Sequence, residues 1–303
     1  MPQLPPFFEI APEIGHALEN YAPIVALETT VITHGLPIPE NITLAANMEA
    51  EVRKTGAIPA TIGVLDGKVC VGMTAAQLET LARTSNPRKL SVRDFGMALV
   101  AGESGGTTVA GTLLVAEHAG IRVFATGGIG GVHRGSGFDI SADLPQLASS
   151  PVVVVCAGAK AILDLPATLE YLETVGVPVV GYGTDEFPAF YARSSGLPLT
   201  MCADTPQEVA RIAKAHWAMG NRSALLLTVP APTESALPYA EIQVAIDQAL
   251  AEAEAKHIQG QAVTPFLLQR VSEISGGESL QANLALLLNN AHVAAQVAKA
   301  LTE

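Results

Sequence analysis

Pro151-Val152-Val153-Val154-Val155-Cys156-Ala157-Gly158-Ala159-Lys160 is the stretch on which the fold turns. Four consecutive valines suit a strand buried on both faces of a sheet, as parallel α/β sheets require. The small residues after them turn the chain and bring Lys160 to or near the start of the next helix. In open α/β sheets ligands bind on that rim, outside the carboxyl ends of the strands. Lys160 is also the only lysine between Lys89 and Lys214. A helix N-terminus is electropositive and desolvation opposes a second charge, so both favour a neutral amine. A neutral lysine amine attacks carbonyl carbon. A lysine that snorkels to water, or one that balances a phosphate, would occupy the same place.

Outward from this strand the pattern repeats. Pro23–Ile32, Ile121–Thr126, Val177–Gly181 and Ala224–Val229 read as strands. Asn41–Gly56, Leu113–Gly120 and Ala167–Val175 read as helical. Asp66-Gly67 between Ala60–Leu65 and Lys68–Val71 is a hairpin turn, and Thr74–Arg83 is a short helix. Such alternation predicts βαβ units and a mostly parallel sheet flanked by helices, in α/β/α layers. Tyr239–Lys256 reads as an amphipathic helix. Thr264-Pro265 reads as an N-cap and first helical residue, with Gly276-Gly277 as the stop. Ser279 reads as the cap of a last helix reaching Ala300. The expected organisation is one α/β domain over 1–303, with 1–20 as an N-terminal extension and 234–303 as its helical C-terminal part.

Composition narrows the function classes. The 303 residues are 49% hydrophobic, with a formal charge of −12. An acidic chain is a poor match for nucleic acid, whose binding surfaces are basic. Any anionic ligand must be small and met by local cations or backbone N–H groups. Cys70, Cys156 and Cys202 have neither disulfide nor metal spacing, which predicts a reducing, cytoplasmic setting. No run is long and apolar enough for a membrane span.

The polar residues gather in a few segments. Thr126-Gly-Gly-Ile-Gly-Gly131-Val-His133-Arg134 follows a strand, and its glycines permit positive φ and close backbone approach. It fits neither the dinucleotide nor the phosphate-loop fingerprint. His133 adds a titratable ring, Arg134 a fixed cation, and Asp139 and Asp143 carboxylates, although Asp143 before Leu144-Pro145 also suits a helix cap. Gly102–Ala110 opens a helix whose free N–H groups suit an anion, or simply carries a threonine cap. Arg88-Lys89 and Arg93 form a basic cluster beside it, either a phosphate partner or a solvated face. Glu28 sits in an apolar strand, where a carboxylate is costly unless paired or functional, or else it faces water from an edge strand. Asn283, Asn289 and Asn290 lie on the apolar last helix, where their amides suit either a polar ring or bonds to backbone.

Several of these strings together resemble one family. Ala26-Leu-Glu28-Thr-Thr-Val-Ile-Thr-His34-Gly, Thr126–Gly135, Phe138-Asp-Ile-Ser-Ala-Asp143-Leu and Cys156-Ala-Gly-Ala-Lys160-Ala-Ile-Leu-Asp-Leu are similar to pseudouridine-5′-phosphate glycosidases, also called indigoidine synthase A-like proteins. The resemblance runs from about Glu9 to Leu301, through Thr264-Pro-Phe-Leu-Leu and Leu287-Leu-Asn289-Asn290-Ala. Between Arg134 and Phe138 the chain has only Gly-Ser-Gly, a loop shorter than in many relatives.

The resemblance implies reversible cleavage of the C–C glycosidic bond of pseudouridine 5′-phosphate to uracil and ribose 5-phosphate, with one Mn²⁺ (or Mg²⁺) per subunit of a homotrimer. By motif position it makes Lys160 the covalent nucleophile at sugar C1′, Glu28 the proton donor and Asp139 the metal ligand. Lys89, Val109, Ser141, Ala142, Asp143 and His133 become substrate contacts, and Asn283 the amide that reads the base. The chemistry suits these residues. A ring carbon leaves as a carbanion equivalent only if electrons are supplied, and a lysine nitrogen on C1′ supplies them by becoming an imine. A Schiff-base aldolase or lyase on another sugar phosphate, or a non-catalytic sugar-phosphate sensor, would share part of this set.

Overall fold

The computed structural model describes residues 5–135, 139–258 and 260–303. The valine run forms the strand Val153–Cys156, fully buried, at the centre of an eleven-stranded sheet. From one edge the sheet runs Phe8–Ile10, Lys68–Val71, Ile58–Leu65, Ile24–Leu27, Val123–Ala125, Val153–Cys156, Leu225–Thr228, Val179–Tyr182 and Cys202–Ala203. Gly105–Thr107 branches from Ile58–Leu65 and carries Arg88–Leu90 on its far side. Every ladder from Ile58–Leu65 through Ile24–Leu27 to Cys202–Ala203 is parallel. Among the described residues, antiparallel pairing enters this sheet only through the Asp66-Gly67 hairpin and the Gly105–Thr107 branch. Leu163–Asp164 and Val132–His133 form a separate two-stranded ribbon.

Helices cover both faces. Glu40–Lys54, Pro206–Ala218 and the last helix Glu278–Thr302 pack together, while Pro12–Glu19, Val109–Ala119 and Asp143–Leu147 cover the other side. The fold is therefore the expected layered α/β arrangement with a helical C-terminal region. The N-terminal extension is built into it: Phe8–Ile10 pairs in register with Val69–Val71, and Ile14 and Ala17 are buried. Tyr239–Ala255 and Val263–Ile274 pair as a hairpin, clipped by Arg270 on Glu252 at 2.7 and 2.9 Å.

Four local expectations need correction. Lys160 does not start a helix. Gly158 turns the chain at φ 85°, and the Lys160 N–H donates to the Ile129 carbonyl at 3.1 Å. The helix waits until Leu165, where the Asp164 carboxylate accepts from the Ala167 N–H at 3.0 Å. The helix-dipole argument for a neutral Lys160 amine therefore does not apply. Thr264 is not an N-cap: its helix begins at Val263, after a 3-10 turn over Gly260–Ala262, and Pro265 stays in the first turn where no N–H is missed. Ser279 does not cap the last helix, because Gly277 holds that position at φ 90°. Asp143 is the first residue of its own helix rather than the cap.

Candidate active site

Three adjacent parallel strands end on one rim. Glu28 follows Ile24–Leu27, Thr126 follows Val123–Ala125, and Lys160 lies four residues beyond Val153–Cys156. The Thr126 hydroxyl donates to Glu28 Oε1 in a short hydrogen bond. Behind Glu28, the Thr29 hydroxyl donates to the Ile62 carbonyl at 2.7 Å and accepts from the Thr107 N–H at 3.0 Å, fixing the strand end.

The glycine loop is held to the lysine segment by backbone. Ala157 N–H donates to Gly127 O at 2.8 Å, Ile129 N–H to Gly158 O at 3.1 Å, and Lys160 N–H to Ile129 O at 3.1 Å. None of the glycines at 127, 128, 130 and 131 adopts positive φ; close packing requires them instead. A Cβ at Gly130 would lie 2.2 Å from Ser141 Oγ and 2.7 Å from Asp143 Oδ2. Asp143, buried, joins two loops: Oδ1 accepts from Ala110 N–H at 2.9 Å and Oδ2 from Gly130 N–H at 2.8 Å. Thr108 caps the helix Val109–Ala119 through Gly111 N–H. Asp143 and Thr108 thus satisfy donors of that helix end, and among the described residues Val109 N–H has no partner.

All ten residues expected at the site, Glu28, Lys89, Val109, His133, Asp139, Ser141, Ala142, Asp143, Lys160 and Asn283, line one cavity of about 1080 Å³. Arg134 turns away from it, donating to the carbonyls of Leu163 and Ala161 and pairing with Asp247 at 3.1 Å. Of the basic cluster, Arg88 is spent on Glu103 at 2.6 Å, while Lys89 and Arg93 reach the cavity. Of the shortened loop at 135–137, residues 136 and 137 lie outside the described residues.

The electrostatics centre on two amines and two carboxylates. Burial pushes the Glu28 carboxyl above the usual carboxylate range; Lys160, the Thr126 hydroxyl and Lys89 pull against it, and Asp143 adds to it. Burial and then Lys160 lower the Lys89 ammonium, opposed by Asp143 and Glu28. Burial of this kind strengthens a carboxyl's hold on its proton, as a general acid requires. Asp139 is exposed, with His133 Nδ1 4.0 Å from its carboxylate. Among the described residues no cluster of three His, Cys, Asp or Glu groups is placed to hold a metal. The donor set at Asp139 fits a hard cation that keeps most of its water, not one caged by protein.

Residue reading missed part of the wall. Nothing in the sequence marks Thr126 as the partner of Glu28. His34 also lines the cavity, its ring lowered below the usual histidine range by burial and Lys89. Phe190 and Tyr191 pack edge to face at 4.7 Å, with Phe190 at φ 62°. A left-handed aromatic residue marks strain held by its surroundings, but it leaves no pattern in sequence.

The model of the family described as "Indigoidine synthase A like protein" matches residues 13–300. The chain belongs to that family. Within the indigoidine synthase A-like family it is 56% identical over 294 residues to a protein of Herpetosiphon aurantiacus, covering 96% of this chain and 97% of that one. It is 52% identical over 292 residues to one of Solibacter usitatus, covering 96% and 98%. Both carry the name pseudouridine-5′-phosphate glycosidase. The crystal structure of the prealnumycin C-glycosynthase AlnA, in complex with ribulose 5-phosphate, superposes with a TM-score of 0.91 at 43% identity, covering 98% of each chain.

Proposed function

We propose that this chain is a pseudouridine-5′-phosphate glycosidase, cleaving the C–C bond between C1′ and uracil C5 reversibly to uracil and ribose 5-phosphate. One observation carries the reading: a lysine, a carboxyl whose hold on its proton is raised by burial, and the Lys89 amine beside a helix N-terminus converge on one cavity, in a chain about half identical over nearly its whole length to proteins of that name.

Glu28 donates its proton to the ring oxygen as the C1′–O4′ bond breaks, and Lys160 Nζ bonds to C1′ with loss of a proton. The nitrogen lone pair then forms C1′=N as the C1′–C5 bond breaks, and C5 takes up a proton to leave as uracil. Water hydrolyses the imine, returning the amine and releasing ribose 5-phosphate. Lys89, Val109 N–H, Ser141 and Ala142 face the substrate, with Asp143 holding the loops that carry them. His133 borders the same wall, and Asn283 reads the base from the last helix. Asp139 would hold a divalent cation, Mn²⁺ or Mg²⁺, whose charge steadies substrate oxygens. The proposal includes a homotrimer working in the cytoplasm, with no nucleic-acid or membrane partner; among the described residues no helix is long and apolar enough to cross a membrane.

Uracil release from pseudouridine 5′-phosphate, followed with Mn²⁺, with Mg²⁺ and with chelator, tests the activity and the cation. Release that is lost with chelator and restored by Mn²⁺ supports both; no release under any condition overturns the activity. Light scattering at three times the chain mass supports the trimer, and a monomer removes it.

A further inference from the structure

Asn290 lies on the last helix, fully buried and one layer behind the cavity wall. Its Nδ2 donates to the Thr126 carbonyl at 2.9 Å and reaches the Gly127 carbonyl at 3.5 Å. Its Oδ1 has no partner among the described residues. A buried acceptor left unpaired is destabilising, so an amide here is retained for what it donates.

The two carbonyls it holds are not ordinary strand ends. Thr126 is the residue whose hydroxyl donates to Glu28, and Gly127 O accepts the first of the three backbone bonds that lead to Lys160. Gly127 also has a packing reason to be glycine: a Cβ there would sit 3.2 Å from Leu287 Cδ2 on the same helix. The absence of a side chain lets the helix come close enough for Asn290 to reach. Asn283, Leu287 and Asn290 recur at helical spacing, so one helix face places Asn283 and Leu287 on the cavity and Asn290 under the rim.

We propose that Asn290 is a positioning residue for both reacting groups, its amide clamping the Thr126–Gly127 turn that orients Glu28 on one side and Lys160 on the other. The inference deepens the proposed function and rests on it. Misplacement of a catalytic group by about 1 Å can cost about 100-fold in rate. Loss of the clamp therefore acts on kcat, leaving the binding of phosphate and base, and hence KM, in place.

The test uses Asn290→Leu, which keeps the volume and removes both the donor and the orphan acceptor, with Asn290→Ala as a second variant should Leu misfold. Expected for Asn290→Leu are a Tm close to wild type, because the Thr126 carbonyl it orphans replaces the Oδ1 it removes, kcat down by about 10- to 100-fold, and KM held. Lys160, Lys89, Asp143 and the Thr126 hydroxyl are the groups that face Glu28. Weakening the hydroxyl's grip leaves the carboxyl more basic, so the alkaline limb of the pH–rate profile moves to higher pH. Thr126→Val moves it the same way, and the double variant moves it no further. Unchanged kcat overturns the proposal. So does a loss of rate and Tm together with the wild-type pH profile, which is the mark of a merely structural residue. Wild-type protein that releases no uracil refutes the proposed function instead. In that case isotope-edited infrared titration of Glu28 in substrate-free protein decides: a higher midpoint in Asn290→Leu upholds the clamp, and an unchanged one removes it.

Discussion

Glu28 is pulled in two directions at once. Enclosure favours its neutral form, while Lys160, Lys89 and the Thr126 hydroxyl favour its charged form, and enclosure wins. A raised carboxyl pKa means that the proton stays on through the ordinary carboxylate range and leaves only at higher pH. Activity that needs a proton donor is therefore full below that folded-state pKa and falls as pH rises through it. Glu28→Gln removes the donor and keeps the shape. It is expected to cut turnover by about 10²–10⁴-fold and to abolish the alkaline limb in kcat/KM against pH; a normal rate, or a limb left in place, excludes Glu28 as the acid. Lys160 answers to a different measurement. Borohydride reduction with ribose 5-phosphate should add one sugar phosphate, mapped by peptide mass to Lys160 and absent in Lys160→Ala. An adduct on Lys89, the other amine in the cavity, would reassign the nucleophile.

At the scale of elements, the strands were legible because their burial on both faces leaves an unbroken apolar record, as in Val152–Cys156. The Asp66-Gly67 hairpin was legible because its turn chemistry is local. The helix starts at Lys160, Thr264 and Ser279 were misread because backbone pairing to a distant loop, a preceding 3-10 turn and a left-handed Gly277 decided them. None of those is visible within a short window of sequence. The family resemblance named ten residues that the fold brings to one cavity. Asn290 was legible as an amide that could bond to backbone, though not which carbonyls it meets, and Tyr191 was not legible, since nothing marks which buried side chain faces a rim. The glycine loop was read correctly as a place of close approach, but the thing approached is the protein itself. Gly130→Ala must push Ser141 and Asp143 away from the loop. Overpacking of this kind costs about 1–3 kcal/mol. Chemical denaturation should show that loss, and the KM for pseudouridine 5′-phosphate should rise because the Asp143 link between the two ligand loops is disturbed. Wild-type stability and KM together would show the loop to be more pliant than its packing implies.

On the scale of the whole molecule, 303 residues lie at the upper limit for a single core. Such a chain can divide its stability between two units, and here the division would pass through the site. The packing argues against it. One buried cluster runs from Ile14 and Val25 through Val154 and Leu226 to Val297, with only a small satellite around Met73 and Leu81. The last helix ties the ends together by packing on Glu40–Lys54, Pro206–Ala218 and the strands that carry Glu28, Thr126 and Lys160. The only tryptophan, Trp217, lies by the amino ends of the central strands, opposite the rim, its indole N–H on the Ser223 carbonyl at 3.1 Å and Arg122 over its ring. It reports on a region remote from Glu28, whereas far-UV circular dichroism reports on all helices. We expect both probes to give one coincident transition in urea or on heating. Ribose 5-phosphate, which binds only the native state, should raise both midpoints together. If the tryptophan transition separates, or if ligand moves one probe and leaves the other, the chain contains two cooperative units. The long helix would then be a strap across a boundary instead of the spine of one domain. A site drawn from three strands and that helix keeps its geometry only while all four stay folded together, so the coincidence of the two transitions bears directly on how the rim is held.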